Sequence, residues 1–106
     1  MDLSQKKCKP CEGGIPKLSH AEADELLAAL QGWTRQGDKL HKTFKFKTFK
    51  NAIAFVNQMA DVAESEGHHP NFTVNFREVE VGIWTHAING LSENDFILAA
   101  KIDRIP

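Results

Sequence analysis

The feature that most constrains this chain is one long helical pattern that stops at a glycine and leads directly into alternating segments. Apolar residues recur at three- and four-residue steps over residues 49–66, which predicts an amphipathic helix. Gly67 is placed to end that helix, and Pro70 disfavours helical backbone at His69. The sequence therefore predicts that His68 and His69 lie at a junction between a helix and a strand.

Segments that alternate apolar and polar residues lie on both sides of this helix and predict two hairpins. In the first, Gly37-Asp38 supplies a turn signal. In the second, the alternation breaks at Arg77-Glu78. The predicted strands are residues 33–35, 39–47, 72–76 and 79–83, and the last one extends to His86 if no bulge interrupts it.

Two further helices are predicted from their capping residues. Ser19 with Glu22 forms a capping box, and Gly32 is expected to end that helix. Ser92 with Asp95 opens a last helix in the same way. The element order is α-β-β-α-β-β-α, which indicates an α+β fold with three helices on one face of a four-stranded antiparallel sheet.

Length and composition set limits on function. A chain of 106 residues with net charge −1 fits one domain and disfavours a broad nucleic-acid contact surface. It contains no apolar run of about 20 residues, the length that a membrane span needs, and its polar start lacks a secretion signal. We expect a cytoplasmic protein with an N-terminal arm, residues 1–17, and a single domain, residues 18–106.

Cys8 and Cys11 form a CxxC pair in the arm. A structural zinc site needs four ligands, and the chain has no second cysteine pair. Three readings stay open. The thiols are reduced in a mobile or packed arm, they take part in adventitious or regulatory metal binding or redox chemistry, or they form a specific site.

Three histidines carry the candidate chemistry, because imidazole exchanges protons near neutral pH. His68 and His69 are adjacent, and His86 is expected at the end of a strand that returns toward them. Glu64 precedes His68 by one helical turn, so its carboxylate is expected to orient an imidazole, while Asp95 either caps its helix or joins the site. Alternatives are a surface histidine pair and a zinc site, although no HxH or HxxxH spacing is present.

The spacing of these residues resembles the signature of the pterin-4a-carbinolamine dehydratase family. The similarity extends from Cys8 over nearly the whole chain. The matching positions are Glu64-x-x-x-His68-His69-Pro70, then Phe76, Thr85-His86, Gly90-Leu91-Ser92 and Asp95, with Leu26-Leu27, Gly32-Trp33 and Phe44-x-Phe46 before them. The resemblance implies the same α+β fold, assembled into homodimers or homotetramers.

The resemblance also implies a dehydratase that removes water from 4a-hydroxytetrahydrobiopterin to give quinonoid dihydropterin. This reaction recycles the tetrahydropterin used by aromatic amino acid hydroxylases, which are expected partners. The pterin is the substrate, so no cofactor and no metal are expected. The implied catalytic residues are His68, His69 and His86, and the implied substrate-binding residues are Glu64, Pro70, Trp84, Thr85 and Asp95. His68 and His86 are expected to be the closest acid–base groups, with His69 binding and tuning.

Two other functions stay open. Some relatives act as dimerisation cofactors of a transcription factor or resemble assembly helpers, so a non-catalytic or dual role is an alternative. A role in molybdopterin metabolism is another.

Overall fold

The computed structural model describes residues 3–8 and 16–106, and its elements follow the predicted order. The fold is α+β, with three helices and one four-stranded antiparallel sheet, as predicted. Short 3-10 turns lie at Leu3–Gln5 and His86–Ile88. The main elements are α1 (His20–Leu27), β1 (Thr34–Gln36), β2 (Lys39–Lys45), α2 (Phe49–Glu66), β3 (Asn71–Asn75), β4 (Glu78–Ile83) and α3 (Glu93–Asp103).

The sheet order is β1-β2-β4-β3, so the two central strands belong to different hairpins. Alternation along β4 buries Val79, Val81 and Ile83 completely on the face covered by the helices. Leu40 of β2 pairs with Ile83 and is equally buried. Gly82 and its neighbours at alternate positions therefore belong to the opposite face of the sheet, which points away from the core.

Helix α2 has the predicted bounds, and its ends explain why. The Thr48 hydroxyl accepts a hydrogen bond from Asn51 N–H at 3.0 Å, which satisfies one of the free amides of the first turn. Gly67 ends the helix with φ 66°, a left-handed conformation that glycine adopts without steric cost. The backbone turns there, and His68 leaves the helix axis.

Most strand bounds differ from the predicted ones by one or two residues, and three predicted boundaries are wrong for a local structural reason. Helix α1 ends at Leu27 instead of close to Gly32, which has φ 82° in the following loop. The second hairpin turns at Phe76-Arg77, one residue earlier than predicted, and Phe76 has φ 54° and is exposed. Strand β4 stops at Ile83, because a backbone bridge from Thr85 to Gly90 closes a loop that contains His86.

Residues 3–8 pack against α3 and the end of α2. Leu3 is buried in the core, and the Cys8 N–H donates a hydrogen bond to Glu66 Oε1 at 2.9 Å. Burial of Glu66 acts to raise the pKa of its carboxyl, but the Cys8 hydrogen bond and the charge of Lys101 outweigh it, so the pKa lies below its ordinary value. Cys11 lies outside the described residues, so the three hypotheses for the CxxC pair stay predictions.

Within residues 3–8 and 16–106, no helix combines the length and apolar character that crossing a membrane requires.

Candidate active site

His68 is the buried member of the histidine pair, with 5% of its surface exposed. Its Nε2 lies 2.6 Å from Oδ1 of Asp95, which is itself fully buried in the first turn of α3. A carboxylate oxygen can only accept, so the Nε2 atom donates and the ring is held in one orientation. The contact joins the end of α2 to the start of α3.

Asp95 is held by two further donors on its other oxygen. Ser92 N–H and the Thr85 hydroxyl donate to Oδ2 at 2.9 Å and 3.0 Å. The Thr85 and Ser92 hydroxyls are themselves 2.7 Å apart. From the sequence, Asp95 could either cap its helix or join the site. The structure shows that it does both: Oδ2 accepts from the Ser92 N–H at the helix start, and Oδ1 contacts His68.

His69, unlike His68, is exposed. Its Nε2 lies 2.5 Å from Glu64 Oε2. Glu64 therefore does orient an imidazole, but the ring is that of His69 and not that of the residue one turn later, His68. Because both groups are well exposed, this ion pair adds little to stability, and its effect is on where the His69 ring points.

His86 opens the 3-10 turn after β4, and its exposed ring stacks on Trp84. The ring centroids are 4.4 Å apart, with an angle of 20° between the planes. The Nζ atom of Lys39 lies 4.2 Å from the Trp84 ring centroid, within the range of a cation–π contact. Trp84 is thus placed to fix the orientation of His86, and its implied contact with the substrate stays a prediction.

The three imidazoles line one open cavity of about 460 Å³, which we call the imidazole cavity. That volume lies in the range of small-molecule sites, ~300–1,000 Å³. The lining residues are Gly67, His68, His69, Pro70, Asn71, His86 and Ala87. Two elements far apart in sequence, the junction after α2 and the loop after β4, are brought together here.

Of the predicted substrate-binding residues, Pro70 lines the imidazole cavity directly. Thr85 and Asp95 are fully buried and lie behind His68. Glu64 lines a neighbouring, mostly apolar cavity of about 230 Å³ that His69 and Pro70 also border.

Some residues of the site were missed by the sequence analysis. Asn71 lines the cavity, and Lys39 contacts Trp84. The capping box predicted for Ser92 and Asp95 is present, and its Ser92 N–H donates to Asp95 Oδ2. Asn71 could have been found from its position directly after Pro70, but no local pattern links Lys39 to Trp84.

A metal site was a weaker alternative for the histidines. Among the residues that the structure describes, no three His, Cys, Asp or Glu side chains are arranged so that they could hold a metal ion. The imidazoles instead have separate surroundings: a buried carboxylate, an exposed carboxylate and an aromatic ring. Groups in different environments can hold and release protons in the same step.

Comparison with known proteins gives a consistent result. The family described as Pterin 4 alpha carbinolamine dehydratase matches residues 16–105. A Dechloromonas aromatica protein provisionally named pterin-4-alpha-carbinolamine dehydratase is 48% identical over 104 residues, covering 98% of this chain and 93% of that protein. A Rickettsia canadensis protein with the same provisional name is 53% identical over 103 residues, covering 95% of this chain and 94% of that protein.

Two solved structures are also similar. One is the crystal structure of a transcriptional coactivator/pterin dehydratase from Brucella melitensis, with TM-score 0.80 and 36% identity, covering 83% of this chain and 96% of that one. The other is a pterin dehydratase-like protein identified as a RuBisCO assembly factor in the alpha-carboxysome. It has TM-score 0.59 and 29% identity, covering 69% of this chain and 87% of that one.

Proposed function

Because this chain belongs to the pterin 4 alpha carbinolamine dehydratase family, we propose that it removes water from 4a-hydroxytetrahydropterins. The product is the quinonoid dihydropterin. The observation that carries the proposal is the convergence of His68, His69 and His86 on one cavity, with His68 held by a buried carboxylate. Acid–base groups that line one cavity suit a reaction that needs two proton transfers.

The reaction balances without any change of oxidation state. The bond from C4a to the hydroxyl oxygen breaks, and that oxygen takes a proton and leaves as water. N5 gives up its proton, and its electron pair forms the new double bond between N5 and C4a. The enzyme must therefore supply one acid and one base, and it finishes each cycle with its protons restored.

His68 and His86 are the proposed acid and base. Asp95 compensates the positive charge that His68 carries whenever its ring holds a second proton, and fixes which nitrogen faces the carboxylate. The stack on Trp84 fixes the orientation of the His86 ring, which lines the same cavity. His69, oriented by Glu64, binds the pterin and adjusts the local charge.

The proposed chemistry uses no cofactor, since neither electrons nor a group other than water are transferred. Protonation of the leaving hydroxyl by an imidazole takes the place of a metal ion as electrophile in this proposal. In the cell the product would be reduced again, so the protein would recycle tetrahydropterin for aromatic amino acid hydroxylases. We propose a homo-oligomer as the working form.

The test is the dehydration rate of a synthetic 4a-hydroxytetrahydropterin, followed by absorbance. We expect the wild-type protein to exceed the buffer rate clearly, and His68→Ala and His86→Ala to lower kcat by roughly 10²- to 10⁴-fold each. His20→Ala, at an exposed histidine that contacts Asp38 and lies outside the imidazole cavity, is the matched control and should keep kcat. A wild-type rate equal to buffer would remove the proposal.

A second candidate function is binding to a protein partner, alone or beside catalysis. It is favoured by three large apolar side chains that are exposed, namely Phe49, Phe72 and Phe76 at 49%, 45% and 66%. The titles of the two similar structures also mention a coactivator and an assembly factor. A triple Phe→Ser variant that keeps dehydration but changes the sedimentation behaviour would separate the two roles.

A further inference from the structure

Glu66, the last residue of α2, has a carboxylate that does not line the imidazole cavity and yet is only 7% exposed. Its Oε1 accepts a hydrogen bond from the Cys8 N–H at 2.9 Å, and its Oε2 lies 3.5 Å from Nζ of Lys101 in α3. Burying a carboxylate is costly unless it has such partners. The Glu66 side chain therefore ties the end of α2 to α3 and to residues 3–8, which we call the N-terminal segment.

Cys8 is the residue of the N-terminal segment that reaches both sides of the contact between His68 and Asp95. Its N–H donates to Glu66, which precedes His68 by two residues. Its Sγ lies 3.6 Å from the carbonyl oxygen of Asn94, which directly precedes Asp95 and is buried. A thiol donates only a weak hydrogen bond, so the backbone contact with Glu66 is the stronger of the two. The imidazole and its carboxylate thus follow two residues that share one neighbour.

The N-terminal segment is anchored by burial of its first described residue. Leu3 lies in the core with 3% of its surface exposed, and the 3-10 turn that it begins packs on α3. Lys6 also pairs with Glu93 at 3.0 Å, but the two side chains are 36% and 39% exposed, so this ion pair contributes little. Because Leu3 fixes the segment on α3, the segment can hold Glu66 at a defined place relative to that helix.

We propose that Glu66 is a positioning residue for His68, because its hydrogen bond from Cys8 holds the end of α2 where the contact between His68 and Asp95 can form. The effect on the rate rests on the proposed function. The bend between Glu66 and His68 has no packing of its own, since a Cβ atom added at Gly67 would meet nothing within 4 Å. The contact that it must preserve is short, with 2.6 Å between Nε2 and Oδ1. A small shift of the ring would weaken that hydrogen bond and misplace the proposed acid–base group.

Three substitutions separate the hydrogen bond from the charge. Glu66→Ala removes both contacts of the carboxylate, Glu66→Gln keeps an oxygen that can accept from the Cys8 N–H, and Cys8→Pro removes that N–H. We expect Glu66→Ala and Cys8→Pro to lower kcat for a synthetic 4a-hydroxytetrahydropterin roughly 10-fold, with KM little changed. Glu66→Gln should keep kcat although it loses the charge. Cys8→Ala, which keeps the N–H, and Lys6→Met, which breaks the exposed ion pair, are the matched controls and should keep kcat.

A second readout reports on the imidazole itself and needs no substrate. The proton on His68 Nε2 lies in a short hydrogen bond to a carboxylate, so it should give a downfield signal in proton NMR spectra. His68→Ala identifies that signal by its loss. We expect the signal to shift upfield or disappear by exchange in Glu66→Ala and Cys8→Pro, and to stay in place in Glu66→Gln and Lys6→Met. A residue that only adds stability would not produce this pattern.

The possible outcomes decide between these roles. If Glu66→Ala and Cys8→Pro keep both the wild-type rate and the His68 signal, the positioning inference is overturned while the dehydratase proposal stands. Equal losses in Glu66→Gln and Glu66→Ala would assign the effect to the charge and would also overturn it. If the wild type does not dehydrate the substrate, the proposed function fails, and the His68 signal still tests whether Glu66 positions the ring. Cys8→Pro keeps the test decisive even if Glu66→Ala does not fold.

Discussion

Replacing Asp95 by asparagine changes the hydrogen-bonding capacity of a fully buried side chain while keeping its shape. The carboxylate accepts from His68 Nε2 at 2.6 Å on one oxygen, and from Ser92 N–H and the Thr85 hydroxyl at 2.9 Å and 3.0 Å on the other. An amide has a single oxygen, so it cannot accept on both sides. With that oxygen toward Ser92, its NH₂ group faces His68 and forces the Nε2 atom to accept instead of donate.

The expected magnitudes follow from these contacts. The opposite amide orientation would set NH₂ against the Ser92 N–H, which costs about 1–3 kcal/mol as an unsatisfied buried donor. The variant should therefore hold His68 in the wrong tautomer, and the dehydration rate should fall roughly 10²- to 10⁴-fold. Losing charge-assisted hydrogen bonds should lower the free energy of unfolding by only about 1–3 kcal/mol, so the domain stays folded.

Two measurements are needed, kcat for a synthetic 4a-hydroxytetrahydropterin and the free energy of unfolding in urea. Glu93→Gln is the matched control, because Glu93 lies in the same first turn but forms its ion pair with Lys6, away from the histidines. We expect that control to keep the wild-type rate. If Asp95→Asn loses stability but keeps its rate, the carboxylate only caps the helix and the reasoning is refuted.

Three further predictions concern other parts of the molecule. Trp84→Leu should move the His86 ring protons downfield in NMR spectra and lower kcat, because the stacked indole is lost. Trp84→Phe keeps an aromatic ring at this position and should recover much of the wild-type chemical shift and of kcat. Glu66→Gln should be less stable than wild type above pH 4.5, and the gap should shrink as pH falls through the lowered pKa of the folded carboxyl, as measured by urea unfolding. Gly67→Ala should cost about 1 kcal/mol in stability and lower kcat, because the left-handed residue positions His68.

Each of these has an outcome that contradicts it. Equal His86 shifts and rates in Trp84→Leu and wild type would show that the stack does not hold the ring. A stability gap in Glu66→Gln that is constant over pH would mean that its charge plays no part. Gly37→Ala is the control for Gly67→Ala, with φ 63° and equally open surroundings, and it should lose similar stability without loss of rate.

Much of the fold could be predicted because its signals are local. The bounds of α2 follow from apolar periodicity and from Gly67, and Ser19 with Glu22 forms the predicted capping box. The end of β4 could not be predicted in this way. It depends on the backbone bridge between Thr85 and Gly90, which competes with continued pairing and has no signature in the alternation itself.

The site was predicted less completely, for a similar reason. Pairing of Glu64 with His68 assumes that the helix continues for a further turn, but the left-handed Gly67 turns the chain and brings His69 to the carboxylate instead. The sequence could not decide between the two roles of Asp95, because an aspartate at this position is compatible with capping the helix and with pairing to an imidazole. Only the packing of α3 against the end of α2 shows that it makes both contacts.

The most direct test of the central claim is a double-mutant cycle on kcat with His68→Ala, His86→Ala and the double variant. If the two imidazoles act as acid and base in one step within the imidazole cavity, the double variant should be scarcely slower than the slower single variant. Losses that multiply instead would show that the two rings act independently, and would contradict the account.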